Sequence, residues 1–163
     1  MTVTKLLCDL KTFCERQTAH FLYCVPVQKG DTEEKCRPPN VFKQRVPHTD
    51  EAEKYSPLIL VQYLGGGTKQ PQGLRAETTA KIRISFCVYD RTSEEEGSMA
   101  LLTLMDAVKH SLLQQVIIGK QFKLDLETGV EDEVYNENTA PYYIGELNCV
   151  FKLPPVEREV YYG

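Results

Sequence analysis

The chain has 163 residues, the length of one ordinary domain, and we expect 1–163 to form a single one. Its 19 basic and 23 acidic side chains leave a net charge of −4, which argues against a broad phosphate-gripping face. A content of 42% hydrophobic and 26% charged residues excludes wholesale disorder. No run of about 18 uncharged apolar residues is present to span a membrane, and charges interrupt the opening MTVTKLLCDLKTFCER too often for a secretory signal.

Residues 2–17 read as an amphipathic helix, because Val3, Leu6, Leu7, Leu10, Phe13 and Cys14 recur at spacings of three and four. Residues 26–57 hold five of the nine prolines, with mixed charge and no apolar period. They read as a long irregular surface excursion. LILVQYL at 58–64 reads as a strand, and the Gly/Pro-containing stretch 65–78 as the turn of a hairpin. Residues 79–90 alternate cleanly, with Ala80, Ile82, Ile84, Phe86 and Val88 on one side. Ser93, with Glu96 three residues later, predicts the start of a helix over 94–118, and Leu101, Leu104, Met105, Val108, Leu112 and Val116 form its buried stripe. Residues 121–127 and 142–153 alternate again; the acidic stretch between them reads as a polar loop, and 154–163 as a tail behind Pro154-Pro155. The expected fold is therefore α+β, in the order α-β-β-α-β-β. It is a four-stranded antiparallel or mixed sheet with two helices on one face.

Catalytic signatures are missing from this reading. Gly65-Gly66-Gly67-Thr68-Lys69 has Thr before Lys, the reverse of a phosphate loop. His20, His48 and His110 sit in no HExxH motif, and no serine occupies a GxSxG elbow. Six cysteines without a CxxC pair read as reduced structural thiols. Cys14, His20, Cys24, Cys36 and His48 carry zinc-type donors but match no tight zinc spacing, and a Cys24–Cys36 bridge stays open as a minor alternative. We expect no enzyme activity and no cofactor.

From about Arg37 to Pro155 the chain resembles the neck and tail-terminator proteins of long-tailed bacteriophages and prophages. The resemblance lies in Pro38-Pro39-Asn40-Val41, the distant Pro47, the strand entry Pro57-Leu58-Ile59-Leu60-Val61-Gln62, and the strand end Val88-Tyr89-Asp90. It continues in Pro141-Tyr142-Tyr143-Ile144-Gly145-Glu146 before a last strand closed by Leu153-Pro154. Where the family often has Trp, this chain has Tyr143. The resemblance implies a homo-oligomeric ring, six-membered in the family, that caps the tail tube and joins tail to head. Its partners would be the tail-tube protein and a head-completion or connector protein, with genomic DNA only in transit and no membrane. Its place would be the virion, after assembly in the host bacterial cytoplasm. Another head–tail connector, a small soluble bacterial binding domain and a Cys- or metal-dependent enzyme remain the alternatives.

A closed ring needs two different complementary patches. The long segments 26–57 and 65–78 are expected to supply contacts, with Pro38, Pro39, Val41, Phe42, Gly65, Gly66 and Gly67 as candidate interface residues. The acidic loop residues Glu131, Asp132 and Glu133 are expected to face a lumen, where negative charge would keep DNA from sticking.

Overall fold

The computed structural model describes residues 2–27, 30, 33, 35–47, 49–70, 72–135 and 139–155. The first helix, α1 (Val3–Thr18), starts at Thr2, whose side chain accepts a hydrogen bond from the Lys5 amide. Its stripe of Leu6, Leu7, Leu10, Phe13 and Cys14 is buried as expected. A two-stranded ribbon follows, β1 (Tyr23–Cys24) against β2 (Cys36–Arg37). Then come β3 (Asn40–Lys43), a short 3-10 helix (Thr49–Tyr55), β4 (Leu58–Lys69) and β5 (Glu77–Tyr89). The second helix, α2 (Glu94–Gln115), begins at Ser93, whose hydroxyl accepts from the Glu96 amide, and carries Glu94, Glu95 and Glu96 at its positive end. It ends where Val116 turns to φ +61° and its N–H bonds back to the Leu112 carbonyl. Four strands complete the chain: β6 (Ile117–Ile118), β7 (Phe122–Leu124), β8 (Val130–Tyr135) and β9 (Tyr142–Leu153).

The α+β class and the two helices hold, but the four-stranded sheet and its order do not. The main sheet is curled and has seven strands, in the order β3-β4-β5-β9-β7-β6, with β8 also on β9 beyond β7. It is mixed because β3 runs parallel to β4 while the other pairs are antiparallel. The sequence expectation and the structure differ at four places. The 26–57 excursion carries β2, β3 and the 3-10 helix, and a four-residue strand has too few alternations to show a period. Gly65, Gly66 and Gly67 lie inside β4, not in a turn, because ladder hydrogen bonds come from the backbone and survive the loss of side chains. The acidic "loop" contains β8, whose Val130 and Val134 pack on the core while the charged Asp132 between them interrupts the apolar pattern. Helix α2 also stops three residues short of the expected 118, and Ile117-Ile118 form β6 instead.

Both helices cover one face of the sheet. Ala80, Ile82, Ile84, Phe86 and Val88 of β5 are at most 1% exposed there, beside Ile59 and Val61 of β4 and Leu147 and Phe151 of β9. Burying each large side chain of this kind contributes about 1.5–3 kcal/mol. On the opposite face, Leu58 and Cys87 pack with Val46, Phe42, Tyr55 and Ile144 beneath the 3-10 segment. Arg37 fastens that segment: its guanidinium donates to the carbonyls of Tyr55 (2.6 Å), Ser56 (3.0 Å) and Pro57 (3.0 Å).

Candidate assembly surfaces

The outer half of the β4–β5 hairpin forms an arm that is open along its β4 edge alone, because Thr78 to Lys81 of β5 also pair with Val150 to Leu153 of β9 and Ala80 lies in the core. Pairing continues past a bulge at Leu64 through Gly65–Lys81, Gly66–Ala80, Gly67–Thr79, Thr68–Thr78 and Lys69–Glu77. The inner part of β4 is buried, whereas Leu64 and Gly66 to Lys69 are exposed. Leu74, at the turn, is 66% exposed. The hydroxyls of Thr68 and Thr78 meet at 3.0 Å across the arm, and Lys152 of β9 holds Glu77 at 3.3 Å. A Cβ on Gly66 would lie 2.1 Å from the Thr79 carbonyl oxygen, so the two strands approach too closely there for any side chain. Gly67 has open space around it. Lys69, Arg75 and Lys81 are exposed, against one exposed carboxylate, Glu77, so the arm is basic.

The other expected interface residues are placed differently. Pro38 is exposed, but Pro39 and Val41 are buried in the subunit itself, and half-buried Phe42 stacks edge-on against Tyr55 at 5.9 Å.

At the far side of the sheet, β8 is acidic, and among the described residues its only strand partner is β9. Strand alternation separates its charges. Asp132 points to the helix face and pairs with Lys109 of α2 at 2.9 Å. Glu131 and Glu133 point to the uncovered face, opposite Asn148 and Glu146 of β9. Glu146 is buried, at 6% exposure. It is held by Arg83 Nε at 3.2 Å and by the Asn148 side-chain amide at 3.2 Å. The Tyr135 hydroxyl also bonds to Glu146, and this bond to a carboxylate raises the phenol's pKa. Sequence reasoning missed this network. Arg83 and Glu146 are far apart in the chain and become diagonal neighbours only through the β5–β9 register, in which Ser85 faces Glu146 and Arg83 faces Asn148.

Of the zinc-type donors, Cys24 and Cys36 meet as a pair, sulfur to sulfur at 3.7 Å. Among the described residues no group of three or more His, Cys, Asp or Glu side chains could hold a metal ion. Cys14 is fully buried in the core, and His48 lies outside the described residues. Burial pushes the thiols of Cys14 and Cys149 up to about 12 and that of Cys87 up to about 11. These thiols stay protonated and weakly nucleophilic at neutral pH. Among the described residues no helix is long and apolar enough to cross a membrane.

The outer half of β4 and strand β8, each without a further strand on its outer side among the described residues, are edges of the kind that dock partners. An exposed edge offers unpaired N–H and C=O groups, and acidic side chains along it discourage unselective pairing while favouring a basic partner. No protein-family model and no curated protein matches the chain.

Proposed function

We propose that this chain is a structural assembly protein of a phage neck, a tail terminator that closes into a homo-oligomeric ring and joins tail to head. The observation that carries the reading is the arm. Past the bulge, Gly66 to Lys69 of β4 are ordered against β5 yet exposed, an edge with no further strand on its outer side among the described residues. Ordering a chain segment costs about 1–2 kcal/mol per residue, and a neighbouring copy would supply the missing burial. The arm's Lys69, Arg75 and Lys81 complement Glu131 and Glu133 at the other side of the sheet. Joining these two different patches gives the heterologous contact that a ring requires. Glu131 and Glu133 are thereby assigned to a subunit boundary rather than a lumen wall. The virion is the proposed location, with the tail-tube and head-connector proteins as partners.

A charge swap tests this reading. Lys69→Glu with Arg75→Glu should abolish self-association, measured by light scattering, while leaving the monomer's melting curve in place. Adding Glu131→Lys and Glu133→Lys to the same chain should restore association. Association that ignores both sets of changes would overturn the proposed contact.

A further inference from the structure

The β1–β2 ribbon sets two cysteines face to face. Its antiparallel register pairs Tyr23 with Arg37 and Cys24 with Cys36. The Val25 amide donates to the Lys35 carbonyl at 2.8 Å, which makes Val25–Lys35 a hydrogen-bonded pair. Pairs alternate along an antiparallel ladder, so Cys24–Cys36 is the closer, non-hydrogen-bonded kind, with Cα atoms about 4.5 Å apart. That spacing lies inside the range of about 4.4–6.8 Å that disulfides span. The two sulfur atoms already meet at 3.7 Å, so side-chain rotation alone can bring them to bonding distance.

Access separates this pair from most of the other thiols. Cys36 is exposed and Cys24 half-buried, whereas Cys14, Cys87 and Cys149 are buried. Cys8 is half-buried on α1, where the Lys43 ammonium donates to its sulfur at 3.3 Å; it is the thiol that could compete for a reagent.

The geometry points to Cys24 and Cys36 as a redox-active dithiol that small-molecule disulfides oxidise to an intramolecular bridge. The Cys36 thiolate attacks one sulfur of oxidised glutathione and expels one glutathione thiolate, leaving a mixed disulfide on Cys36. The Cys24 thiolate then attacks the Cys36 sulfur and expels the second glutathione. Two thiol protons and two electrons leave the protein, and one disulfide becomes two glutathione thiols. The bridge ties β1 to β2 next to Arg37, the residue that clasps the carbonyls of Tyr55, Ser56 and Pro57. Oxidation therefore stiffens the attachment of the 3-10 segment to the sheet. This inference stands apart from the ring proposal and would hold for a monomer.

The test incubates the purified full-length chain with oxidised glutathione, then measures intact mass, peptide maps and melting temperature. The expected product is lighter by two hydrogens, bridged between Cys24 and Cys36, reversed by dithiothreitol, and melts several degrees higher. Cys24→Ser should stop at one glutathione on Cys36. A wild-type chain that carries glutathione on both cysteines, bridges a different pair, or leaves both open to alkylation would overturn the assignment.

Discussion

Removing Arg83 should leave a buried carboxylate without its cation. The Glu146 side chain is 8% exposed and that of Arg83 is 39% exposed, with Nε 3.2 Å from the carboxylate oxygen. Two unit charges near a protein surface attract by about 4 kcal/mol at 4 Å, and by about 5 kcal/mol at this closer distance. The exposure of Arg83 screens the pair, and about half of that attraction is a reasonable net value. Arg83→Met should therefore cost about 2–3 kcal/mol, the more so because Glu133 faces Glu146 across β8 and β9. Glu146→Gln keeps the shape and can still accept from Asn148, so it should cost about 1 kcal/mol. The double variant should cost about 1.5–2.5 kcal/mol instead of the about 3–4 kcal/mol of additivity, a coupling of about 1.5 kcal/mol in a urea-denaturation cycle. Additivity within about 0.5 kcal/mol would refute the idea that this pair fastens β5 to β9.

Three further expectations concern other parts of the molecule. Gly66→Val forces a side chain onto the Thr79 carbonyl and should lower stability by about 1–3 kcal/mol, whereas Gly67→Ala, with open space around it, should change it by less than about 0.5 kcal/mol; urea midpoints compare the two. Arg37→Lys replaces a planar fork that reaches three successive carbonyls with a point donor, and should cost about 2 kcal/mol and expose the 3-10 segment to proteolysis. The thiols of Cys14 and Cys149 rise from 9.0 to about 12 in the folded chain, and that of Cys87 from 9.0 to about 11. A raised folded-state pKa contributes stability that is complete below pH 9. That stability is lost as pH climbs through about 11 and 12, since the unfolded thiols ionise first. Denaturation midpoints taken between pH 8 and pH 11 should fall, and the slope should flatten in Cys149→Ala.

The elements that could be read from the chain were those whose apolar period repeats several times. The α1 stripe and the Ala80-to-Val88 alternation both reappear as buried faces, because a long amphipathic element has one way to hide its apolar side. The parts that escaped lack such a side. Strand β3 is four residues long, and its position depends on parallel pairing with β4 across the 3-10 segment. The glycines of β4 carry no side chain to alternate, and of the three Gly66 alone sits where the Thr79 carbonyl leaves no room for anything larger. In β8 a charge falls on the core side, at Asp132, and is accommodated by Lys109 from a helix more than 20 residues earlier. Short acidic or glycine-rich strands of this kind are defined by what lies opposite them. Of the residues expected at an interface, Gly66 and Gly67 lie on the exposed edge of β4 and Gly65 is half-buried, while Pro39 and Val41 are buried within the subunit.

The central claim, a ring built through the arm, is tested most directly by the solution mass. Light scattering across a range of concentrations, followed by electron microscopy, should show ring-shaped particles of six copies of 18.6 kDa, about 112 kDa. The same preparation with Lys69→Glu and Arg75→Glu should collapse to single chains. A wild-type chain that stays at 18.6 kDa at every concentration and also when mixed with a polymerising tail-tube protein, or rings that form equally well with the reversed arm, would contradict the account.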